Sequence, residues 1–446
     1  MKQSPIDLPE LSRVAVIGAG PSGISAVSQL LKKGVKPDKI KGFESRSKAG
    51  GVWNYEKSCG GMNIDFRKDG SVVLSSPREA QDPSIGSPSP IYDSLRTNLP
   101  VETMTFYQTP YPEDVEMFPS SKVILEYLQK FSRVNNVDPI IAFDTIVTRL
   151  YQTPGSTDSN NKWTVESKNL KSEKTEKELF SHIIIANGHY TEPFIPRFTG
   201  FDTYKGELTH SRWWRNVTPY KEKKTILVIG GRYSASDILR DFLADPSPHQ
   251  KIYQSIPSDS DKRVIKIENV TVVPPVHRVE GNTFIFEDGQ RVDGVDLIVF
   301  ATGYLFSYPF IWDGDAPFES SPLTTALHES QLSASSCRKL PRSGGKTITG
   351  LDMSDVFYLK EPTLALIGLH YLINPFPLVE ITARLIAHSF VNAMVPSLDP
   401  IKRNSDKPDE LNIGYPQEYE NQDMFLDAIG EVSPHFRINQ DDHCPG

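Results

Sequence analysis

Several short apolar runs punctuate this chain, and each one stops at a turn-forming or polar residue. Val14–Ile17 stops at Gly18, and Ile40–Phe43 at Glu44. His182–Ile185 stops at Ala186–Asn187–Gly188, Ile226–Ile229 at Gly230, and Val295–Phe300 at Ala301–Thr302–Gly303. Brief, nearly unbroken apolar runs bounded by turn formers predict strands buried on both faces, as in parallel sheets. Between them the spacing becomes helical. Ile24–Lys33 closes at Gly34, and Lys122–Asn135 carries Val123, Leu125, Tyr127, Leu128 and Phe131 toward one face, with Ser120 or Ser121 as its cap. Residues 140–180 read as strands around a polar loop, and 284–290 as a hairpin. Residues 59–90, rich in Ser, Pro, Asp and Gly, read as an irregular connection, and 191–198 as a linker. Strands alternating with helices predict an α/β protein.

The first strand and helix enclose Gly18, Gly20 and Gly23, the G-x-G-x-x-G spacing in the strand–turn–helix context that a dinucleotide site requires. Gly18 permits the tight turn, Gly20 lets a diphosphate approach the backbone, and Gly23 lets helix and strand pack closely. Pro21 and Ser22, inside the motif and ahead of the helix whose N-terminus receives the phosphates, are also candidate cofactor-binding residues. Glu44 ends the next strand, 26 positions after Gly18. The usual distance is ~20 residues, and an acid there binds ribose hydroxyls. Gly50–Gly51–Val52–Trp53 follows, a place for close backbone approach and for a ring to lie against a flat ligand.

A second unit begins at Thr225. Its motif positions hold Gly230, Arg232 and Ala235, with Ser234 inside the motif. Alanine is accepted at the third position, whereas arginine at the second departs from the fingerprint. No acid ends the following strand, Lys251–Ser255, and Lys262 and Arg263 lie a few residues on, a pattern that suits the 2′-phosphate of NADP. The turns Ala186–Asn187–Gly188 and Ala301–Thr302–Gly303 repeat the same plan after each unit and point to a duplicated architecture.

Composition changes this picture little. At 446 residues, 38% hydrophobic and 23% charged, the chain has material for two or more globular domains. A net charge of −8 argues against a nucleic-acid partner. Cys59, Cys337 and Cys444 make neither a redox pair nor a zinc spacing, so no metal is expected. The first ten residues do not resemble a secretory signal, and no apolar run suffices for a membrane span, so a cytoplasmic protein is expected. The sequence is compatible with a homodimer but does not fix the oligomeric state.

Two nucleotide units imply two cofactors, or one cofactor and a relic. A flavin on the first and a nicotinamide on the second allow hydride transfer between them. With no cysteine pair after Gly50–Gly51, molecular oxygen is the natural electron acceptor.

Here the chain resembles the class B flavin-containing monooxygenases, in particular their short fungal members. The residues that carry the resemblance are the glycines Gly18, Gly20 and Gly23, then Gly50–Gly51–Val52–Trp53, and Thr97–Asn98. To these add the linker signature Tyr204-x-Gly206-x-x-x-His210-x-x-x-Trp214, the turn Phe300–Ala301–Thr302–Gly303–Tyr304, and Pro362–Leu369. The resemblance implies two doubly wound, Rossmann-like dinucleotide-binding domains. A discontinuous FAD domain of residues 1–209 and 326–446 would hold an inserted NADPH domain of residues 210–325. It also implies that NADPH reduces FAD, and that O2 forms a C4a-hydroperoxyflavin which oxygenates the soft sulfur or nitrogen of a small molecule, as in the N,N-dimethylaniline monooxygenase type. Asn98 matches the asparagine beside the flavin and the substrate oxygen, and Thr302 and Gly303 belong to the cofactor turns. His210 is either a hinge residue or a chemical one. Trp214 is the choice of Baeyer–Villiger relatives, although Arg215 after it is not, so carbonyl oxygenation remains an alternative. Arg232 leaves open an NADPH oxidase or a non-catalytic relic.

Overall fold

The computed structural model describes residues 2–58, 63–66, 72–75, 88–107, 109–196, 198–246, 250–256, 267–312, 314–324, 344–345, 347–403 and 411–431. The three cysteines, Lys262 and Arg263 lie outside them. The chain starts its first unit with β1 (Val14–Ile17), α1 (Pro21–Lys32) and β2 (Ile40–Phe43), paired in parallel with Val14 opposite Ile40. After α2 (Ser121–Val134) and β3 (Ile141–Ala142) come three antiparallel strands, β4 (Thr145–Gln152), β5 (Trp163–Asn169) and β6 (Thr175–Phe180), and then β7 (His182–Ile185). β7 returns to lie parallel to β1. The chain then enters a second sheet at β8 (Glu207–His210), followed by β9 (Thr225–Ile229), α3 (Tyr233–Ala244), β10 (Lys251–Ser255), β11 (Thr271–Val273) and β12 (Leu297–Phe300). It comes back through β13 (Tyr304–Ser307) to β14 (Leu364–Leu366) and the long helix α4 (Pro375–Val391).

Two parallel five-stranded sheets result, ordered β14–β7–β1–β2–β3 and β8–β12–β9–β10–β11. Each is flanked by helices, so the protein holds two Rossmann-like units, the second inserted within the first. Burial explains why the apolar runs are continuous. Val14 and Val16 enter one core cluster with residues of α1 and α4, while Ala15 and Ile17 enter another with Trp163 and Phe180 of the antiparallel layer. Leu227 and Ile229 likewise face a different cluster from Ile226 and Val228, which meet Ile238, Leu239 and Phe242 of α3. Each such aliphatic side chain contributes roughly 1.5–3 kcal/mol when fully buried.

Three expectations change. α1 begins at Pro21 rather than Ile24, because a proline at the first helical position needs no N–H partner and arrives with helical φ. Ser120 does precede α2 with extended backbone, but its side chain makes no capping bond. Within the stretch read as irregular, Asn63–Phe66 and Val72–Ser75 pair as an antiparallel ladder. The hairpin expected at 284–290 is there, Thr283–Phe286 pairing with Arg291–Val292. No helix among the described residues is long and apolar enough to cross a membrane.

Candidate functional site

The first unit builds a cradle from backbone. Gly18 turns at φ +107° and donates to the Phe43 carbonyl at 2.8 Å. A Cβ on Gly18 would sit 2.4 Å from the Ala186 carbonyl oxygen, and one on Gly23 would sit 1.8 Å from the Gly18 oxygen. Gly51, at φ +54°, brings its backbone against Gly20, where a Cβ would lie 2.7 Å from the Gly20 Cα. Gly20 precedes α1 with no side-chain cap, so the N–H groups of the first turn face the cavity with the positive end of the helix dipole. Glu44 is buried; its Oε2 accepts from Ala19 N at 2.8 Å and its Oε1 from Arg46 N at 2.8 Å. Those bonds fix the carboxylate and leave it further lone pairs. Val52 and Trp53 belong to the helical turn Gly51–Trp53 on the same wall.

The second unit repeats the construction. Gly230 turns at φ +141° and donates to Ser255 O at 3.0 Å, and a Cβ there would lie 2.3 Å from the Ala301 oxygen. Arg232 stands where Gly20 stands in the first unit, again before a helix with no side-chain cap. Its backbone is extended, at φ −108° and ψ −168°, so no glycine is required, and its side chain is exposed on the cavity. In place of Glu44, this unit has the apolar Ile256, which follows Ser255 as Glu44 follows Phe43 and whose N donates to Val273 O at 3.1 Å as Glu44 N does to Ala142 O. The Thr302 hydroxyl donates to Phe194 O, and Gly303 O accepts from Phe194 N at 2.9 Å. The turn that follows β12 is thereby pinned to the link between the units.

Both cradles open onto one cavity of 2140 Å³, larger than the roughly 300–1,000 Å³ of a single small-molecule site. Gly18, Gly20, Pro21, Ser22, Glu44, Gly51, Val52, Trp53, Thr97, Asn98, Gly230, Arg232, Ser234, Thr302 and Gly303 all line it. Gly23 and Ala235 do not, since each lies beneath the turn where helix meets strand. Thr97 is buried, and its hydroxyl has no hydrogen-bond partner among the described residues. Asn98 is exposed on the cavity, and its amide makes no hydrogen bond with the described residues. Two glycine cradles, two uncapped helix starts and the buried Thr97 hydroxyl fit dinucleotide cofactors.

The residues of the linker signature do other work. The His210 Nδ1 accepts from Arg212 N at 3.1 Å, so its Nε2–H donates to Gly303 O, 3.2 Å away. Burial, and then the nearby Arg212 charge, push its pKa down to about 3. At neutral pH His210 is an uncharged staple beneath the Thr302–Gly303 turn, off the cavity wall. Trp214 is fully buried, donates to Asp241 Oδ2 at 2.9 Å and stacks on Tyr220. It belongs to the core of the second unit and touches no substrate space. Arg215 joins the units, donating to Glu56 O and Ser89 O at 2.8 Å each and to the Trp214 carbonyl at 2.7 Å. Tyr92 donates to Asp237 across the same seam.

The cavity also takes in residues that the spacing did not single out, among them Arg212, His189, Tyr190 and Tyr371. The last three come from chain segments following β7 and β14. Only the sheet order brings those segments together, although the position of His189 directly after Ala186–Asn187–Gly188 is a signal of a kind.

The profile of the flavin-binding monooxygenase-like family matches residues 78–246 and 241–320. The chain belongs to this family. It is 30% identical over 304 residues to "Flavin-containing monooxygenase FMO GS-OX-like 1" of Arabidopsis thaliana, covering 67% of this chain and 59% of that protein. This chain thus spans about three-fifths of the length of that plant relative. It is 28% identical over 400 residues to the "Thiol-specific monooxygenase" of Saccharomyces cerevisiae, covering 86% of this chain and 78% of that one. Among solved structures, the S-allyl-L-cysteine S-oxygenase from Allium sativum superposes with a TM-score of 0.71 at 25% identity, covering 96% of this chain and 90% of that one.

Proposed function

We propose that this family member is an NADPH- and O2-dependent flavin monooxygenase that oxygenates the soft nucleophilic sulfur or nitrogen of small molecules such as thiols, sulfides and amines. The balance is NADPH, a proton, O2 and substrate giving NADP⁺, water and the oxygenated product. The observation that carries the reading is that two glycine cradles of the same build open on one cavity, with an asparagine amide on its wall that makes no hydrogen bond to the described residues. FAD belongs on the first cradle, in a domain of residues 1–209 and 326–446, and NADPH on the second, in residues 210–325. Bound there, FAD supplies the two-electron relay from NADPH to O2.

The chain's own residues bind and orient. Gly18, Gly20, Pro21, Ser22 and Gly51 offer backbone and the α1 dipole to the FAD diphosphate, and Glu44 accepts from ribose hydroxyls. Val52, Trp53 and Thr97 border the flavin. Gly230, Ser234 and the α3 start hold the NADPH diphosphate, Arg232 adds a guanidinium suited to phosphate, and Thr302 and Gly303 close the floor. Asn98, able both to donate and to accept, holds the reacting oxygen while the apolar wall excludes water. Sulfur substrates are favoured because the yeast relative is named for thiols and the garlic structure for an S-oxygenase. Trp214, internal to the second unit, lends no weight to carbonyl oxygenation.

The test is consumption of O2 and NADPH, with product mass, across thiols, sulfides, amines and ketones. Sulfur or nitrogen oxides matched to NADPH consumed are the expected result. Lactone or ester products from ketones alone, or NADPH oxidation with no oxygenated product, would overturn the reading.

A further inference from the structure

His189 is a buried histidine whose ring meets no polar partner among the described residues. It is 6% exposed, it lines the cavity, and neither ring nitrogen has a hydrogen-bond partner among those residues. Tyr190, Tyr371 and Phe306 surround the imidazole, with ring centroids at 4.4, 4.7 and 5.3 Å. Aromatic neighbours could hold a phenyl ring equally well, and an unsatisfied buried polar group costs about 1–3 kcal/mol. The imidazole therefore carries a destabilising burden that packing does not explain. Burial pushes its pKa down to about 4, the Gly368 backbone pulling slightly the other way without completing a hydrogen bond, so the ring is neutral at pH 7. A neutral imidazole donates through one nitrogen and accepts through the other, which matches a hydroxyl better than a phosphate.

The sheet order says which hydroxyl. In β14–β7–β1–β2–β3, the diphosphate cradle lies at the end of β1. Glu44 follows β2 on one side of it, and His189 follows β7 on the other. Gly368 follows β14 and lies against Ser22 at the start of α1, so close that a Cβ on Gly368 would be 2.3 Å from the Ser22 Oγ. The path from the α1 N-terminus to His189 thus runs past Gly368. FAD carries a sugar on each side of its diphosphate, the adenosine ribose and the ribityl chain. With Glu44 on the ribose side, the opposite side receives the ribityl chain.

We propose that His189 binds a ribityl hydroxyl of FAD, completing on the β7 side of the cradle what Glu44 does on the β2 side. This rests on the reading that the first unit holds FAD. ADP shares the adenosine diphosphate of FAD and lacks the ribityl chain, so it separates the two ideas.

The experiment measures FAD affinity of the flavin-stripped protein by flavin fluorescence, and ADP affinity by displacement of FAD, for the wild type, His189→Phe and His189→Gln. The phenyl ring fills the aromatic pocket without polar atoms, and the amide restores a donor and an acceptor. His189→Phe should weaken FAD about ten-fold, leave the ADP inhibition constant within two-fold, and melt no lower than wild type without cofactor. His189→Gln should regain most of the FAD affinity. Unchanged FAD affinity in His189→Phe overturns the proposal, as does equal weakening of FAD and ADP, which would mark a distorted turn. A wild-type protein that binds ADP but not FAD would instead overturn the FAD reading, and the proposal with it.

Discussion

The two cradles are the same device carried to different degrees of closure. In both, a glycine with positive φ closes against the carbonyl of an alanine after a neighbouring strand, Gly18 against Ala186 and Gly230 against Ala301. The first is then closed further, Gly51 pressing its backbone on Gly20 and Glu44 bonding back to Ala19 N. Among the described residues the second has no such partner. Arg232 stands in the open place of Gly20, and Ile256, at the position of Glu44, offers no side-chain acceptor. A closed cradle suits a ligand that stays, and an open one suits a ligand that exchanges. The positions that a fingerprint treats as equivalent are therefore not under equal constraint: backbone conformation demands glycine at 18 and 230, whereas Gly20, at φ −73°, would place a Cβ at ordinary contact, 3.5 Å from the Gly51 Cα, and it is Gly51 that must be glycine where the two meet.

The largest test of the comparison is alanine at the paired turn glycines. Gly18→Ala and Gly230→Ala meet the same clash and the same unfavourable φ, so each should destabilise its unit by about 3 kcal/mol. Gly18→Ala should purify without flavin. Gly230→Ala should retain flavin and lose reduction by NADPH. If Gly230→Ala lost the flavin instead, the assignment of cofactors to cradles would be reversed.

Asn98, on the wall that both cradles share, should act after both cofactors are in place. Asn98→Ala should bind FAD and be reduced normally, while product per NADPH falls at least ten-fold, on the order of one lost hydrogen bond to a charged group, and hydrogen peroxide rises to match. Wild-type coupling, read by product and peroxide assays, would reduce Asn98 to a turn residue.

The openness of the second cradle gives a smaller effect. With no strand-end acid and a guanidinium at 232, kcat/KM should favour NADPH over NADH at least ten-fold, and Arg232→Ala should raise the KM for NADPH several-fold, about 1 kcal/mol of phosphate contact. A lower KM in Arg232→Ala would show that the side chain obstructs the site.

The last concerns acid. Burial holds His182 and His189 of the first unit at about 3 and about 4, and His210 of the second at about 3. Below the unfolded value near 6.5 the unfolded chain takes up protons that these rings refuse, so their contribution to stability is full above that pH and is lost as pH falls toward the folded values. Each contributes at most about 1.4 kcal/mol per pH unit. Burial raises the carboxyl pKa of Asp352, Glu380 and Glu418, which pulls the opposite way. The difference between variant and wild type is therefore what isolates the histidine. Denaturant unfolding of His210→Gln at pH 7 and pH 5 should show a shallower acid loss than wild type, and an identical slope would mean that His210 is protonated in the fold.

The amino-acid sequence by itself determined the elements and the two cradles, because their causes are local. An unbroken apolar run such as Val14–Ile17 can be satisfied only between two layers, and glycine at 18 or 230 is the residue that a positive φ permits. The same locality explains why Asn98 and Glu44 could be picked out as polar residues at a turn and a strand end. The roles of His210, Trp214 and Arg215 were decided by tertiary structure. Two of them lie in one signature and the third directly follows it, yet one staples a turn from Phe300–Tyr304, one is buried under α3, and one bonds to carbonyls more than a hundred residues earlier. Spacing records that such residues are near one another along the chain; it holds no information on which distant carbonyl or ring each will meet. His189 is the clearest case. Its neighbours, Phe306, Gly368 and Tyr371, arrive from strands that become adjacent only when the chain leaves the first sheet, builds the second and returns, so its unmet hydrogen bonds exist only in the folded protein.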